Sequence, residues 1–242
     1  MRKKYFTELQ RLMDKVEAEE AEKMSQAAGK IAETLENNAI IHLFGCGHSH
    51  LLAEEVYYRA GGLVPVHPIL HPPLMLHEGA VKSSDLERKN GYAGTFMRKQ
   101  DIRPEDTVIV VSTSGRNPVP IDAALIASEM GAFVIGLTSK GYSMSQPSRH
   151  HSGKRLYEVV DLAIDNHVPP GDALLSHQKS GINFGPGSTV IGAAIIHGIL
   201  SEAIDVLIEK GVEPPVFKSG NLDGTDEHNQ RLLERYSDRL KL

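Results

Sequence analysis

Two short segments concentrate residues able to hold an anion. Ser112-Thr-Ser-Gly-Arg-Asn117 packs three hydroxyls, a glycine, an arginine and an asparagine into six residues. It follows an apolar run and opens a helix-forming one. Successive backbone N–H groups at a helix start form an anion nest, and each hydroxyl can donate to a phosphate oxygen. Turn and N-cap duty would account for one such residue. Three hydroxyls exceed that need, so this loop is expected to bind phosphate. Gly45-Cys-Gly-His-Ser49 also lies between a strand and a helix. Its glycines allow close backbone approach and the helix start favours an anion. A dinucleotide site would want glycine where His50 stands, and an acidic residue about 20 positions on, where the chain reads Val66-His67-Pro68. Nicotinamide binding is therefore rejected, and no Walker A loop occurs. The alternative for the first segment is a tight strand-to-helix turn.

The elements that must carry these loops follow from periodicity. Residues 5–36 read as one long amphipathic helix, with Phe6, Leu9, Met13, Val16, Met24, Ala27, Ile31 and Leu35 near helical spacing. Strands are expected at 39–44, 63–67, 107–111, 132–137 and 159–164, the second at a sheet edge because of Pro65. Helices are expected at 50–60, 92–99, 117–129, 189–209 (with Ser188 as its cap) and 227–240. The helix over 189–209 is apolar nearly all round and should be buried. Strands alternating with helices give a parallel sheet covered on both faces, and ligands then bind beyond the carboxyl ends of its strands. The loops after residues 44, 67, 111, 137 and 164 should converge on one rim.

The chain has 242 residues, of which 40% are hydrophobic and 24% charged, which excludes a disordered, fibrous or disulfide-stapled chain. About 1.6 domains are expected from this length. Three parts are read: an N-terminal helix over 1–36, whose stripe is too long for one domain edge and should meet another subunit; a domain over 37–212; and a C-terminal loop and helix over 213–242. The charge of −5 argues against broad nucleic-acid or anionic-membrane binding. No stretch reads as reaching the ~20 apolar residues of a membrane helix, and the charged N-terminus lacks a signal-peptide core. A single cysteine, Cys46, allows no internal disulfide, so a reducing, cytoplasmic setting is expected. The 12 histidines leave zinc open, with His48, His50, His67, His71 and His77 nearest the Gly loop, but none of the strong ligand spacings occurs and no metal site is assigned. His150, His151, His167 and His177 read as solvated loop residues.

Gly45-x-Gly-x-Ser49 after one strand and Ser112-x-Ser-Gly-x-Asn117 after a later one resemble the paired motifs of the SIS (sugar isomerase) domain, over roughly residues 20–210. Phe217-Lys-Ser-Gly-Asn-Leu-Asp-Gly-Thr-Asp-Glu-His-Asn229 is similar to a group of small bacterial SIS proteins. The resemblance implies an α/β fold, a five-stranded parallel sheet of flavodoxin-like order flanked by helices, and a phosphosugar ligand. Carried over, Gly47, Ser49, Ser112, Ser114 and Asn117 would hold the phosphate, with Thr113 giving its backbone N–H. Asn117 stands where the family usually has threonine.

Phosphoheptose isomerases of this family carry a helix ending like Ala53-Glu-Glu-Val-Tyr-Tyr-Arg59, and the resemblance makes Glu55 the proton-transferring base. Here the helix between the Gly loop and that glutamate is about one turn shorter. The alternative is a surface i,i+4 pair of Glu55 with Arg59. The family also places a catalytic histidine on its last buried helix, where His197 stands; a satisfied core histidine is the alternative. Moving a proton between adjacent carbons through an enediol needs such an acid–base couple. Glu78, in the 68–90 loop, is the rival base. The expectation is an aldose–ketose sugar-phosphate isomerase without cofactor, a homodimer or homotetramer. The alternatives are a non-catalytic phosphosugar sensor and a lyase acting on an amino-sugar phosphate. Asp226-Glu-His-Asn229 either starts a helix or reaches a neighbouring subunit's site.

Overall fold

In a computed structural model, which describes residues 1–240, the elements are α1 (Arg2–Glu36), β1 (Ile41–Gly45), α2 (Leu51–Glu55), β2 (Val66–Pro68), α3 (Ala80–Glu87), α4 (Gly94–Met97), β3 (Thr107–Val111), α5 (Pro118–Glu129), β4 (Phe133–Thr138), α6 (Lys140–Met144), β5 (Leu162–Asp165), the hairpin strands β6 (Leu175–Ser176) and β7 (Asn183–Phe184), α7 (Ser188–Glu209) and α8 (Asp226–Tyr236). Five strands pair in parallel in the order β2-β1-β3-β4-β5. Gly45 lies opposite Val111, and Val111 opposite Leu137. The three central strands therefore end level. The chain reverses direction across the sheet between β1 and β3, which opens a crevice at that point.

Alternation along each strand sends side chains to opposite faces. Leu43, Ile109, Val111, Ile135 and Leu137 join the buried stripes of α1 and α7 on one face. Phe44, Val108, Val110 and Val134 meet α4 and α5 on the other. A Cβ on Gly192, where α7 meets α2, would sit 2.6 Å from a Leu52 methyl group, so the glycine lets the two helices pack without moving that side chain. By length and composition α7 is apolar enough to cross a membrane, which corrects the expectation that no stretch reaches that size. Here it packs against α1 and the sheet.

Several boundaries move for identifiable reasons. The helix expected over 50–60 opens as a 3-10 turn, Gly47–His50, and ends at Glu55. Tyr58 takes a left-handed φ of 45°, which breaks the expected helix, and beyond it Gly61 N–H donates to Phe217 O and Val64 N–H to Pro215 O. Strand β2 starts at Val66 and lies at the sheet edge, as Pro65 indicated. The long 68–90 stretch contains two 3-10 turns and α3. Ser188 is not the cap of α7. Asp172 takes that duty from across the loop, accepting from Gly187 N–H, Ser188 N–H and the Ser188 hydroxyl at 2.7–2.9 Å.

Asp106 ties the opposite, amino ends of the sheet together. It accepts from the N–H groups of Ile40 and Arg103, from His42 Nε2 and from both Arg239 terminal nitrogens, at 2.8–3.2 Å. Burial alone would raise this carboxyl, but these donors outweigh it and hold it far below the usual carboxylate range. A small core of Ile40, Val64, Phe217, Leu232, Tyr236 and Leu240 seats α8 beside it. The Asp226–Asn229 segment is used within the chain: His228 Nε2 donates to Val216 O, and the Asn229 amide pairs with the backbone of Lys218.

Asp106→Asn should cost on the order of 3 kcal/mol, because it leaves Arg239 and His42 facing a neutral amide in a buried site. Since folding depresses this carboxyl, its contribution is complete above its unfolded value of about 3.9 and is lost as pH falls below that toward the folded value. Urea titrations should show the wild-type advantage at pH 7 narrowing by roughly 1 kcal/mol at pH 3. A pH-independent difference would contradict the assignment.

Candidate functional site

Strands β1 and β3 deliver the two loops to the same end of the crevice. Gly45 must be glycine, because a Cβ would meet the Ser49 backbone at 2.6 Å, and Gly47 holds a left-handed φ of 57°. The chain thereby turns back on itself and presents Ser49 on a 3-10 turn. A Cβ added to Gly47 would come within van der Waals distance of Leu76, in the segment before α3.

The second loop is clamped from below by the end of β4. Thr113 O accepts from Ser139 N–H at 3.0 Å, and Ser114 O from the Ser143 hydroxyl at 2.7 Å. Gly115 has a φ of 56°, and a Cβ on it would meet the Ser143 and Thr138 hydroxyl oxygens at 2.5 Å. Its N–H donates to Ser112 Oγ at 3.2 Å, which leaves the Ser112 proton free to donate elsewhere. With the carbonyls turned inward, the N–H groups of Thr113, Ser114, Arg116 and Asn117 have no acceptor among the described residues. They lead into α5, whose first turn carries no acid to oppose the positive end of its dipole.

Asn117 occupies the N-cap position of α5 without capping it. Its Nδ2 donates to Glu87 Oε1 at 2.9 Å, and its Oδ1 accepts from Arg149 at 3.0 Å. One of its two amide protons is thus committed to Glu87, and the other remains for a ligand. Burial raises the Glu87 carboxyl, against the lowering effects of Asn117, Arg88 and Arg149. Cys46, in the Gly loop, is a free buried thiol pushed well up by burial and, secondarily, by the Glu87 charge. Burial, together with Arg149, lowers Arg116, with Arg88 and Arg155 adding to the effect. Cationic side chains therefore crowd this rim of an acidic protein. Neither Glu87 nor Arg149 stood out in the sequence. A glutamate thirty residues before Asn117 gives no local signal of contact.

Glu55 and His197 are brought together, at 3.2 Å between Oε1 and Nε2. The same Glu55 oxygen pairs with Arg59. The surface pairing of Glu55 with Arg59 is thus formed alongside the contact with His197, and the Glu55 carboxyl is lowered first by the His197 bond and then, against burial, by Arg59. His197 is not a core histidine. Its side chain is 40% exposed, and that of Glu55 42%. The pair joins α2 to α7, with Glu55 six residues past Ser49 in the chain. Glu78 is exposed on its own 3-10 turn and makes only a 3.9 Å approach to His77.

The histidines disperse. His50 is buried and directs Nδ1 at Gly47 O. His71 stacks on Phe96. His150 is buried rather than solvated, bonding Asp122 at 2.9 Å through Nε2. His167, also expected in solvent, is largely enclosed between Glu20 and Asp165. Among the described residues no group of three or more His, Cys, Asp or Glu side chains could hold a metal ion.

Comparison with known proteins agrees with this architecture. A family model described as SIS domain matches residues 4–139, more than half of the chain. A UPF0309 protein of Halalkalibacterium halodurans is 57% identical over 238 residues, covering 98% of this chain and 95% of that one. A UPF0309 protein of Listeria monocytogenes is 57% identical over 232 residues, covering 96% and 94%. Among solved structures, a phosphoheptose isomerase from Francisella tularensis shares the fold at a TM-score of 0.55 and 18% identity, covering 83% of this chain and 95% of that one. One from Neisseria gonorrhoeae does so at 0.52 and 19%, covering 84% and 95%. With a flavodoxin-like sheet order, paired glycine- and serine-bearing loops at its switch point, and relatives alike over nearly their whole length, the chain belongs to the SIS domain family and, within it, to the UPF0309 proteins.

Proposed function

We propose that this protein binds a sugar phosphate and interconverts its aldose and ketose forms. The observation that carries the reading is the set of four N–H groups, of Thr113, Ser114, Arg116 and Asn117, that have no acceptor among the described residues and lie beside the Ser112, Thr113 and Ser114 hydroxyls at the start of α5. Such a set is matched in charge and geometry to a phosphate dianion. In this reading Ser49 and the Gly47 turn contribute from the end of β1, and the spare Asn117 amide proton adds a further donor. Glu55 and His197 supply the acid–base couple: the carboxylate fixes the imidazole with Nε2 as donor, and the couple moves a proton between adjacent sugar carbons through an enediol. No metal or cofactor is needed in this scheme. The buried free thiol of Cys46 fits a cytoplasmic setting.

The active protein is a homo-oligomer in this reading. Met13, Val16 and Met24 of α1 and Ile191, Ala194 and Ile195 of α7 line an open apolar groove beside the Glu55–His197 layer. Light scattering at micromolar concentration should give a multiple of the 26.5 kDa chain mass. A single-chain mass would refute the assembly.

Changing Ser112 and Ser114 together to alanine should weaken sugar-phosphate binding by ~1–3 kcal/mol, at about 0.5–1.5 per hydrogen bond lost. Calorimetry should also show the unphosphorylated sugar binding poorly to wild type, and equal affinities would sink the phosphate assignment.

Glu55→Gln should leave binding nearly intact and lower turnover by ~10²–10⁴-fold, the usual loss for a general acid–base group. Solvent deuterium should enter the carbon next to the carbonyl in wild type and not in this variant. His197→Asn should behave alike, and because its side chain is half exposed it should keep the wild-type melting temperature. Normal turnover by Glu55→Gln with a dead Glu78→Gln would move the base to Glu78.

A further inference from the structure

The loop over 148–154, between α6 and β5, closes on itself. The Ser148 hydroxyl donates to Lys154 O at 2.7 Å, and Gly153 N–H to His150 O at 2.9 Å. Within it His150 is buried and Ser152 is exposed. On α5, the buried Asp122 accepts from Gly91 N–H at 2.8 Å through Oδ2 and meets His150 Nε2 at 2.9 Å through Oδ1. A carboxylate only accepts, so Nε2 carries the imidazole proton and Nδ1 is left as an acceptor. The loop agrees with that tautomer: Ser152 N–H donates to Nδ1 at 3.3 Å, and Ser152 Oγ lies 2.6 Å from it. The same oxygen accepts from Lys154 N–H at 3.2 Å, so its own proton points at Nδ1.

A hydroxyl that only steadies a turn needs no more than a carbonyl, which is what Ser83, Ser139 and Ser143 use. Ser152 instead faces an imidazole whose tautomer and orientation are fixed by a carboxylate, the arrangement that activates a serine. Ser180 makes the same local contact, 3.2 Å from His177 Nδ1, but among the described residues no carboxylate bonds His177. We propose that Ser152 is an activated nucleophile, apart from the phosphate loop, that takes up an acyl group from small activated esters. Its Oγ bonds to the ester carbonyl carbon as its proton passes to His150 Nδ1. The carbon–oxygen bond to the leaving group then breaks, and the departing oxygen carries off the electron pair and takes that proton. Water reverses the sequence, giving its proton to Nδ1 while its oxygen bonds to the acyl carbon and Ser152 Oγ leaves. The backbone donors of Ser152, Gly153 and Lys154 are committed inside the loop, so they form no oxyanion hole. The donor must therefore carry a leaving group that departs readily, which excludes amides.

The test is reaction of the full chain with p-nitrophenyl acetate, following nitrophenolate by absorbance and locating the acetyl group by peptide mass spectrometry. Wild type should release a burst approaching one nitrophenolate per chain and carry the acetyl group on Ser152, with Ser180 unlabelled as the internal control. Ser152→Ala should abolish the burst and, because the side chain is exposed, keep the wild-type melting temperature. Asp122→Asn keeps the shape but frees the imidazole to take the other tautomer. It should slow the burst by ~10²–10⁴-fold, the range for losing a general base. Acetylation of Ser152 no faster than of Ser180, acetyl groups on lysines alone, or an undiminished burst in folded Asp122→Asn would each overturn the assignment. Should Asp122→Asn fail to fold, the comparison of Ser152 with Ser180 in wild type decides by itself.

Discussion

The rim of this protein depends on how the carbonyls of Thr113 and Ser114 are disposed of. Both are drawn down onto the segment that follows β4, by Ser139 N–H and the Ser143 hydroxyl of α6. The N–H groups of Thr113, Ser114, Arg116 and Asn117 are left without an acceptor among the described residues, so the loop keeps donors to spare. The contact is possible only because Gly115 has no side chain to strike Ser143 and Thr138. The N-terminal end of α5 adds the positive end of its dipole at the same place.

Level strand ends make that rim, and they are secured from the far side of the sheet. Asp106 gathers donors from the approach to β1, from the turn before β3 and from the C-terminal Arg239. Buried ion pairs contribute little net stability against a well-packed apolar alternative, but they penalise misregistered arrangements. Here the penalty falls on any slip between β1 and β3, the two strands whose loops must meet. The C-terminal segment, docked through α8, is thus part of the scaffold of the site even though it lies at the opposite end.

The acidic net charge hides a local division of labour. Arginines 88, 116 and 149 cluster around the α5 start, while the histidines, conspicuous by number, serve mostly as partners for buried acceptors. His42 meets Asp106 and His150 meets Asp122. Glu55 and His197 differ in being open to solvent. Their pairing joins α2 to α7 in a layer that the apolar groove between α1 and α7 borders.

Local residues determined the strands and the loop chemistry. Thr107-Val-Ile-Val-Val111 is apolar on both faces and bounded by polar residues, so its limits are readable to the residue. Ser112–Asn117 declares itself because three hydroxyls, a glycine and an amide follow such a strand. Where partners lie far apart in the chain, only folding could join them. Glu87 meets Asn117 across 30 residues, His150 meets Asp122 across 28, and Glu55 meets His197 across 142. Asp172 supplanted Ser188 at the α7 start, and Phe217 and Pro215 bonded the backbone of Gly61 and Val64, for the same reason. Periodicity and turn chemistry act over a few residues and are written in order along the chain. Burial, desolvation and the pairing of charges depend on which segments the sheet brings side by side, and no run of neighbouring residues encodes that.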